Sequence, residues 1–189
     1  MDADTIFETE RLILRPLTMH DLPAVFERTS DPEVMRFHNC GTMSLEATRA
    51  GLEATMAKAE GLLPLGVRTA IVKATDRNVG YAGLAPLAHL RGHPTEISFD
   101  IVRECWGNGY ATEASARLIN HAFEDLHLAE VVAAIHPLNG ASARVAQKLG
   151  LTVREKIEWP EQGLVDLYVI TREAYEKRTE TTQGSEAKS

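Results

Sequence analysis

The residues best suited to chemistry lie in one stretch, Arg103-Glu104-Cys105-Trp106-Gly107-Asn108-Gly109-Tyr110-Ala111-Thr112-Glu113-Ala114. Two glycines bracket a single asparagine, between a run with strand periodicity and one with helix periodicity. Glycine at such a place lets the backbone enter φ > 0 and come close to a ligand. The amides of Asn108, Gly109, Tyr110, Ala111 and Thr112 would then point outward at a helix N-terminus. Convergent donors added to the helix dipole make a ready anion site, and the sharp reading is a pyrophosphate cradle. The same pattern also fits a tight strand-to-helix turn. Two nucleotide signatures are excluded. A dinucleotide fingerprint needs Gly or Ala where Thr112 stands, and an acid at the end of the next strand, whereas Glu130 precedes the run Val131 to Ile135. A phosphate loop of the kinase or GTPase type needs Gly-Lys-Ser/Thr, which the sequence lacks.

The strand that leads into this stretch, Thr95 to Val102, alternates cleanly. Ile97, Phe99 and Ile101 face one way, and Glu96, Ser98 and Asp100 face the other. Glu96 and Asp100 are thereby two carboxylates on the polar face of one strand. His89 and His93 fall in the loop before it, and His136 stands alone before Pro137. Two cysteines, Cys40 and Cys105, are too few and too scattered for a disulfide framework or a zinc site, so no metal is expected and reduced thiols are the simplest state.

The remaining pattern supplies the elements that must position these groups. Glu10 to Leu17 is a short β-rich run. Asp21 opens a helix to about Arg28 as N-cap, with Pro23 tolerated in its first turn, and Asp31-Pro32-Glu33 repeats that start signal. Ser44 opens a longer helix with Leu45, Leu52, Met56 and Ala59 near one face, ending at Gly61. Val67 to Ala74 and Val79 to Pro86 read as strands joined by the turn Thr75-Asp76-Arg77-Asn78. A helix follows over Thr112 to Leu126, then the buried strand Val131 to Ile135 and a helix from Asn139 to Leu149 capped by Gly150. Val153 to Glu158 and Leu164 to Ile170 are the last strands, around the turn Pro160-Glu161-Gln162-Gly163. That order predicts an α/β or α+β domain with a mixed sheet of about seven strands. The expected boundaries are one domain over 1–176 and a disordered tail over 177–189, where apolar periodicity stops.

Composition bounds the function. The 189 residues carry 20 Lys and Arg against 27 Asp and Glu, a formal charge of −7, with 44% hydrophobic residues. These values exclude wholesale disorder, and the acidic balance argues against a nucleic-acid backbone as partner, because counterion release needs clustered cations. It suits a cationic partner such as an amine. No apolar run reaches the length of a membrane span, and Met1-Asp2-Ala3-Asp4 is acidic where a secretion signal is basic, so a cytoplasmic location is expected.

Trp106-Gly107-Asn108-Gly109-Tyr110-Ala111-Thr112-Glu113-Ala114 resembles the acetyl-coenzyme A loop of the GNAT N-acetyltransferases, Gln/Arg-x-x-Gly-x-Gly/Ala, with Gly109 and Ala111 in the last two places. Trp106 at the first place resembles the RimJ/RimL branch, which acetylates protein N-termini among other amines. Thr9-Glu10-Arg11-Leu12-Ile13-Leu14-Arg15-Pro16 is similar to that branch's opening strand, and Val79-Gly80-Tyr81-Ala82-Gly83-Leu84 to its third. Asn139-Gly140-Ala141-Ser142 with Lys148-Leu149-Gly150-Leu151 is similar to its second coenzyme-binding helix. The likeness runs in order over roughly Thr9 to Tyr175.

The resemblance implies a twisted, mostly antiparallel mixed sheet flanked by helices, whose fourth and fifth strands, Glu96 to Val102 and Val131 to Ile135, splay apart to admit pantetheine near Ile101 and Val102. It implies acetyl-CoA as co-substrate, its pyrophosphate on the amides of Asn108 to Thr112, with Arg103, Arg144 and Lys148 as solvated charges or local ion pairs more than phosphate ligands. Asn139 matches the Asn that bonds the pantetheine arm, and is also a helix N-cap. Ser142 matches a Ser near the thioester sulfur, and is also a first-turn Ser. Glu96 is the implied general base and Asp100 the alternative anchor for a substrate ammonium. Many relatives protonate the leaving thiolate with a Tyr seven residues after the Asn; here that position is Ala146. The implied reaction is direct acetyl transfer to a protein N-terminus or small-molecule amine in a ternary complex, with a backbone amide near Val102 as oxyanion donor. No acetyl-enzyme is implied, because neither cysteine matches a nucleophile. The expected assembly is a monomer or homodimer. A coenzyme-binding sensor of the same fold, left open by Ala146, and a transferase of longer acyl chains are the alternatives.

Overall fold

The computed structural model describes residues 6–62, 65–88, 90–160 and 162–186; His89 and Glu161 lie outside them. In chain order the elements are β1 (Phe7–Glu8), β2 (Leu12–Pro16), α1 (Leu22–Thr29), α2 (Leu45–Leu62), β3 (Gly66–Val72), β4 (Arg77–Pro86), β5 (Thr95–Ile101), α3 (Tyr110–Glu124), β6 (Glu130–Ile135), α4 (Gly140–Lys148), β7 (Thr152–Trp159), β8 (Gly163–Thr171) and α5 (Arg172–Glu186). Hydrogen bonding orders the strands β1-β2-β3-β4-β5-β6-β8-β7, a mixed α/β fold. Every described register is antiparallel except that of β5 with β6, which is parallel and holds at one pair, Glu96 with Val132. The sheet has eight strands instead of about seven because Phe7–Glu8 pairs with Leu14 and Ile13. Two residues are too few to leave a period in the sequence.

Backbone contacts group the chain into two compact units. The first takes the chain up to Ala85 together with Ile97–Leu118. Its core is built on Leu12 and Leu14 of β2, Ala70 of β3, Ala82 and Leu84 of β4, and Ile97 of β5, all buried. Full burial of each leucine contributes about 1.5–3 kcal/mol. Asp21 precedes α1 as expected, yet its side chain does not cap that helix. The carboxylate instead takes both terminal nitrogens of Arg15 at 2.8 Å, the Thr18 N–H at 2.8 Å and the Asn78 amide at 3.0 Å. Burial alone would raise its pKa; these donors outweigh it and hold the carboxyl below its ordinary value.

The second helix start read at Asp31 is a turn, not a helix. Asp31 accepts the Glu33 N–H at 2.8 Å, and a single 3-10 turn, Met35–Phe37, follows before His38 goes extended. Ser44 does open α2, accepting the Ala47 N–H at 3.2 Å. Buried hydroxyls of Thr29 and Thr48 join α1 to α2 at 2.8 Å. Gly80, at φ 139°, lets β4 run hard against β5: a Cβ there would lie 2.0 Å from the Asp100 carbonyl oxygen.

The second unit comprises Pro86–Glu96 and the chain from Ile119. The continuous apolar run of β6 is buried as read, and Val132 packs with Leu87, Leu167 and Val169. Helix α5 runs to Glu186. Local bonds sustain it: Lys177 pairs with Glu173 at 2.7 Å, the Thr179 and Thr181 hydroxyls bond carbonyls four residues back, and the Arg178 guanidinium bonds the Lys148 carbonyl at the end of α4. Among the described residues no helix is long and apolar enough to cross a membrane.

Candidate active site

In the first unit, the loop between β5 and α3 has the geometry that its glycines suggest. Gly107 and Gly109 sit at φ 78° and 83°, in the left-handed region, and α3 begins at Tyr110. The first helical backbone bond runs from the Glu113 N–H to the Gly109 carbonyl, so the amides of Tyr110, Ala111 and Thr112 precede it and have no intrahelical acceptor. A Cβ on Gly107 would meet nothing within 4 Å, so the loop is open on that side. The Asn108 side chain donates to the carbonyls of Cys105 and Trp106, fixing the turn. These donors fit a pyrophosphate.

Two expected coenzyme contacts are already engaged. Val102 donates its N–H to the Val79 carbonyl at 2.9 Å and accepts from Cys105 at 3.0 Å, so its amide is not a spare oxyanion donor. The Ile101 carbonyl takes the Trp106 indole N–H at 2.7 Å, leaving one lone pair for a ligand. Trp106, at the first motif place, therefore braces the strand end that leads into the loop.

Sequence reading missed what anchors the loop. Glu113, in the first turn of α3, accepts from the Thr9 hydroxyl at 2.6 Å, the Arg11 N–H at 2.8 Å and the Arg11 Nε at 2.7 Å. Burial pushes its pKa up, but these donors more than reverse that and hold it low. The Arg11 guanidinium lies 4.9 Å from the Tyr110 ring centre and 3.4 Å from where a Gly109 Cβ would stand. A cation thus sits beside the amides of the loop. Both motifs are visible in the sequence, but nothing local signals that Thr9 and Arg11 meet a residue over a hundred positions away. Arg103, by contrast, is more than half exposed and 3.9 Å from Asp31, a weak local pair.

The first unit also holds a half-open cavity of about 280 Å³ among α1, α2, β3, β4 and Ser98 of β5. Its wall is mainly apolar, with Val25, Met35, Met43, Leu52, Val67 and Tyr81. Asp100 does not offer an unoccupied carboxylate to an ammonium. Its Oδ2 is 2.6 Å from Arg28 Nη1 and 3.1 Å from His38 Nε2, and the Arg28 guanidinium lies 4.8 Å from the Tyr81 ring centre.

In the second unit, Glu96 stands where the β5–β6 ladder is reduced to one pair. Its Oε1 accepts the Ala134 N–H at 3.2 Å, so a side chain serves a strand amide there. Burial pushes its pKa up to about 7, against the lowering effect of the Ala134 N–H. That value suits a base working near neutrality. Asn139 is the N-cap of α4, its side-chain oxygen accepting the Ser142 N–H at 3.1 Å. Ser142 is half-buried in the first turn, and Ala146 is a buried methyl facing the core. The His136 Nδ1 accepts the Leu138 N–H at 3.1 Å, a turn role.

A glycine-bracketed strand-to-helix loop on a mixed α/β sheet is the arrangement that the sequence resemblance implies. A family model described as "Acetyltransferase (GNAT) domain" matches residues 11–152, and the chain belongs to that family. An uncharacterized N-acetyltransferase, p20, of Bacillus licheniformis is 30% identical over 86% of this chain and 93% of its own length. FsC-acetyl coenzyme A-N(2)-transacetylase of Aspergillus fumigatus is 31% identical over 92% of this chain and 79% of its own. The crystal structure of a GNAT-family acetyltransferase from Bacillus anthracis superposes with a TM-score of 0.77 at 25% identity, covering 89% of this chain and 99% of the other.

Proposed function

We propose that the protein is an N-acetyltransferase that moves the acetyl group of acetyl-CoA to a primary amine, of a protein N-terminus or a small molecule, by direct attack in a ternary complex. The loop carries this reading: α3 amides without intrahelical acceptors behind two left-handed glycines, with Arg11 alongside, fit a pyrophosphate. Asn108, Gly109, Tyr110, Ala111 and Thr112 are the residues proposed to hold it, and the remaining lone pair of Ile101 the strand contact for pantetheine. Val102 is kept as a neighbouring wall residue and not as a donor. Asn139 keeps its place as a pantetheine ligand through the amide nitrogen that capping leaves unused. Ser142 stands for the thioester end. The RimJ/RimL-like branch is supported by Trp106 and by the opening-strand motif. A cytoplasmic site, with Cys40 and Cys105 reduced, fits acetyl-CoA as co-substrate.

Glu96 is proposed as the base. An ammonium has no lone pair, so its proton must leave before the nitrogen attacks. With Glu96 near 7, the proton transfer is nearly balanced from an α-ammonium of pKa about 7.8 and clearly uphill from a lysine at about 10.4. The pairing therefore favours α-amino and other low-pKa amines. The neutral amine then bonds to the thioester carbonyl carbon, the C–S bond breaks, the coenzyme leaves as thiolate, and the nitrogen loses its surplus proton to solvent as the amide forms. With a thiol pKa near ~8.5, no dedicated acid is required where Ala146 replaces the Tyr.

The test is thiol release from acetyl-CoA over an amine panel, with a thermal shift for coenzyme binding. Stabilisation and amine-dependent release support the reading. Stabilisation with no release from any amine favours the sensor reading that Ala146 leaves open. No stabilisation removes the family's chemistry from this chain.

A further inference from the structure

The cavity of the first unit has a polarity opposite to that of the whole protein. The chain carries −7, yet no Asp or Glu lines the cavity among the described residues, and its one charged wall residue is Arg28. Asp100 is not part of that wall. The wall thus presents Arg28 and His38, while their common partner Asp100 is withheld from it.

The Arg28 side chain is only 11% exposed. Its described contacts are Nη1 on Asp100 and the guanidinium face on Tyr81, so Nη2 and Nε have no acceptor among the described residues. A guanidinium held in place by a carboxylate and an aromatic ring, with donors left over, matches a carboxylate in two-point geometry. The rest of the wall is aliphatic and thioether, with Thr29 and Thr48 spending their hydroxyls on each other. A polycationic acceptor would find no counter-charge here and one like charge.

We propose that this cavity is the acceptor site and that the acceptor is a compact, mainly apolar primary amine bearing a carboxylate, which Arg28 binds. The inference rests on the acetyltransfer reading only for the word acceptor; the ligand chemistry follows from the cavity. A free small acid and the acidic side chain of a peptide N-terminus can both supply such a carboxylate; the proposal commits to the free acid, and the peptide arm of the test distinguishes them.

Calorimetric binding of leucine, leucinamide, hexylamine, spermidine and an Asp-containing N-terminal peptide to the whole protein tests it. Leucine should bind at least about tenfold tighter than leucinamide, with spermidine and the peptide weaker still. A neutral pair, Arg28→Gln with Asp100→Asn, leaves no lone buried charge and should bring the leucine-to-leucinamide ratio close to one while the coenzyme thermal shift persists. A wild-type ratio near one, tighter binding of spermidine or of the peptide, or a ratio unchanged in the neutral pair overturns the proposal. Should the double variant not fold, the wild-type ratio decides alone. Thiol release separates the two readings. Leucine binding without release from any amine contradicts acetyl transfer and keeps the carboxylate site; release with a ratio near one does the reverse.

Discussion

At the scale of single residues, the structural role of Glu96 and the catalytic role proposed for it are separated by one pH titration. Its carboxylate serves a strand amide, and burial holds its pKa near 7. The ordinary carboxyl value is 4.5, so between about 4.5 and 7 the folded chain binds more protons here than the unfolded chain does. Stability therefore falls as pH rises through that window, and the burial cost is complete above it. Glu96→Gln keeps an acceptor for Ala134 and removes the charge. Denaturant unfolding should show the variant gaining on the wild type from pH 5 to pH 8; a constant difference would contradict the burial argument. Catalysis runs the other way. The wild-type rate should rise with pH through a limb near 7, and the variant should lose at least about tenfold at pH 7 and less near pH 10, where the amine deprotonates unaided. An unchanged profile removes Glu96 from the reaction.

At the scale of elements, the loop between β5 and α3 is only as well placed as the contacts behind it. Glu113→Ala deletes three hydrogen bonds to Thr9 and Arg11 and frees Arg11 from its position beside Tyr110. The expected outcome is coenzyme affinity reduced about tenfold, read by calorimetry, with a loss of about 1–3 kcal/mol in stability. Glu113→Gln, which still accepts from Thr9, should recover part of the affinity. Equal affinity in all three proteins would contradict a positioning role. Gly80→Ala forces a Cβ onto the Asp100 carbonyl and should cost more than ~2 kcal/mol in denaturant unfolding. A cost near zero would mean that β4 and β5 are less closely apposed. These elements also mark how much was legible beforehand. The alternation of β5, the glycines before α3 and the apolar run of β6 are local signals, and their elements stand close to where those signals place them. Asp21, Asp100 and Val102 are different. Their partners Arg15, Arg28 and Val79 are brought in by tertiary packing that competes with local capping or ligand roles. Asp31 opens only a turn, because a start signal with no apolar period behind it has nothing to propagate.

At the scale of the whole molecule, net charge and local charge diverge. The −7 suggested an affinity for cationic acceptors, but the loop that fits the coenzyme offers neutral amides and one arginine, and the cavity wall offers another arginine. Helix α5 extends beyond Glu176, and the Arg178 guanidinium bonds the Lys148 carbonyl at the end of α4. Truncation after Glu176 should lower the melting temperature by a few degrees, about 1 kcal/mol for a chain of this size, and an unchanged melting temperature would return those residues to the status of a tail. The account rests above all on the claim that this fold transfers an acetyl group. The most direct measurement is free thiol released from acetyl-CoA at pH 8 in the presence of small primary amines, with a parallel coenzyme thermal shift. The account predicts coenzyme stabilisation and amine-dependent release that is greatest with a carboxylate-bearing amine. Stabilisation without release from any amine, or no stabilisation at all, would contradict it.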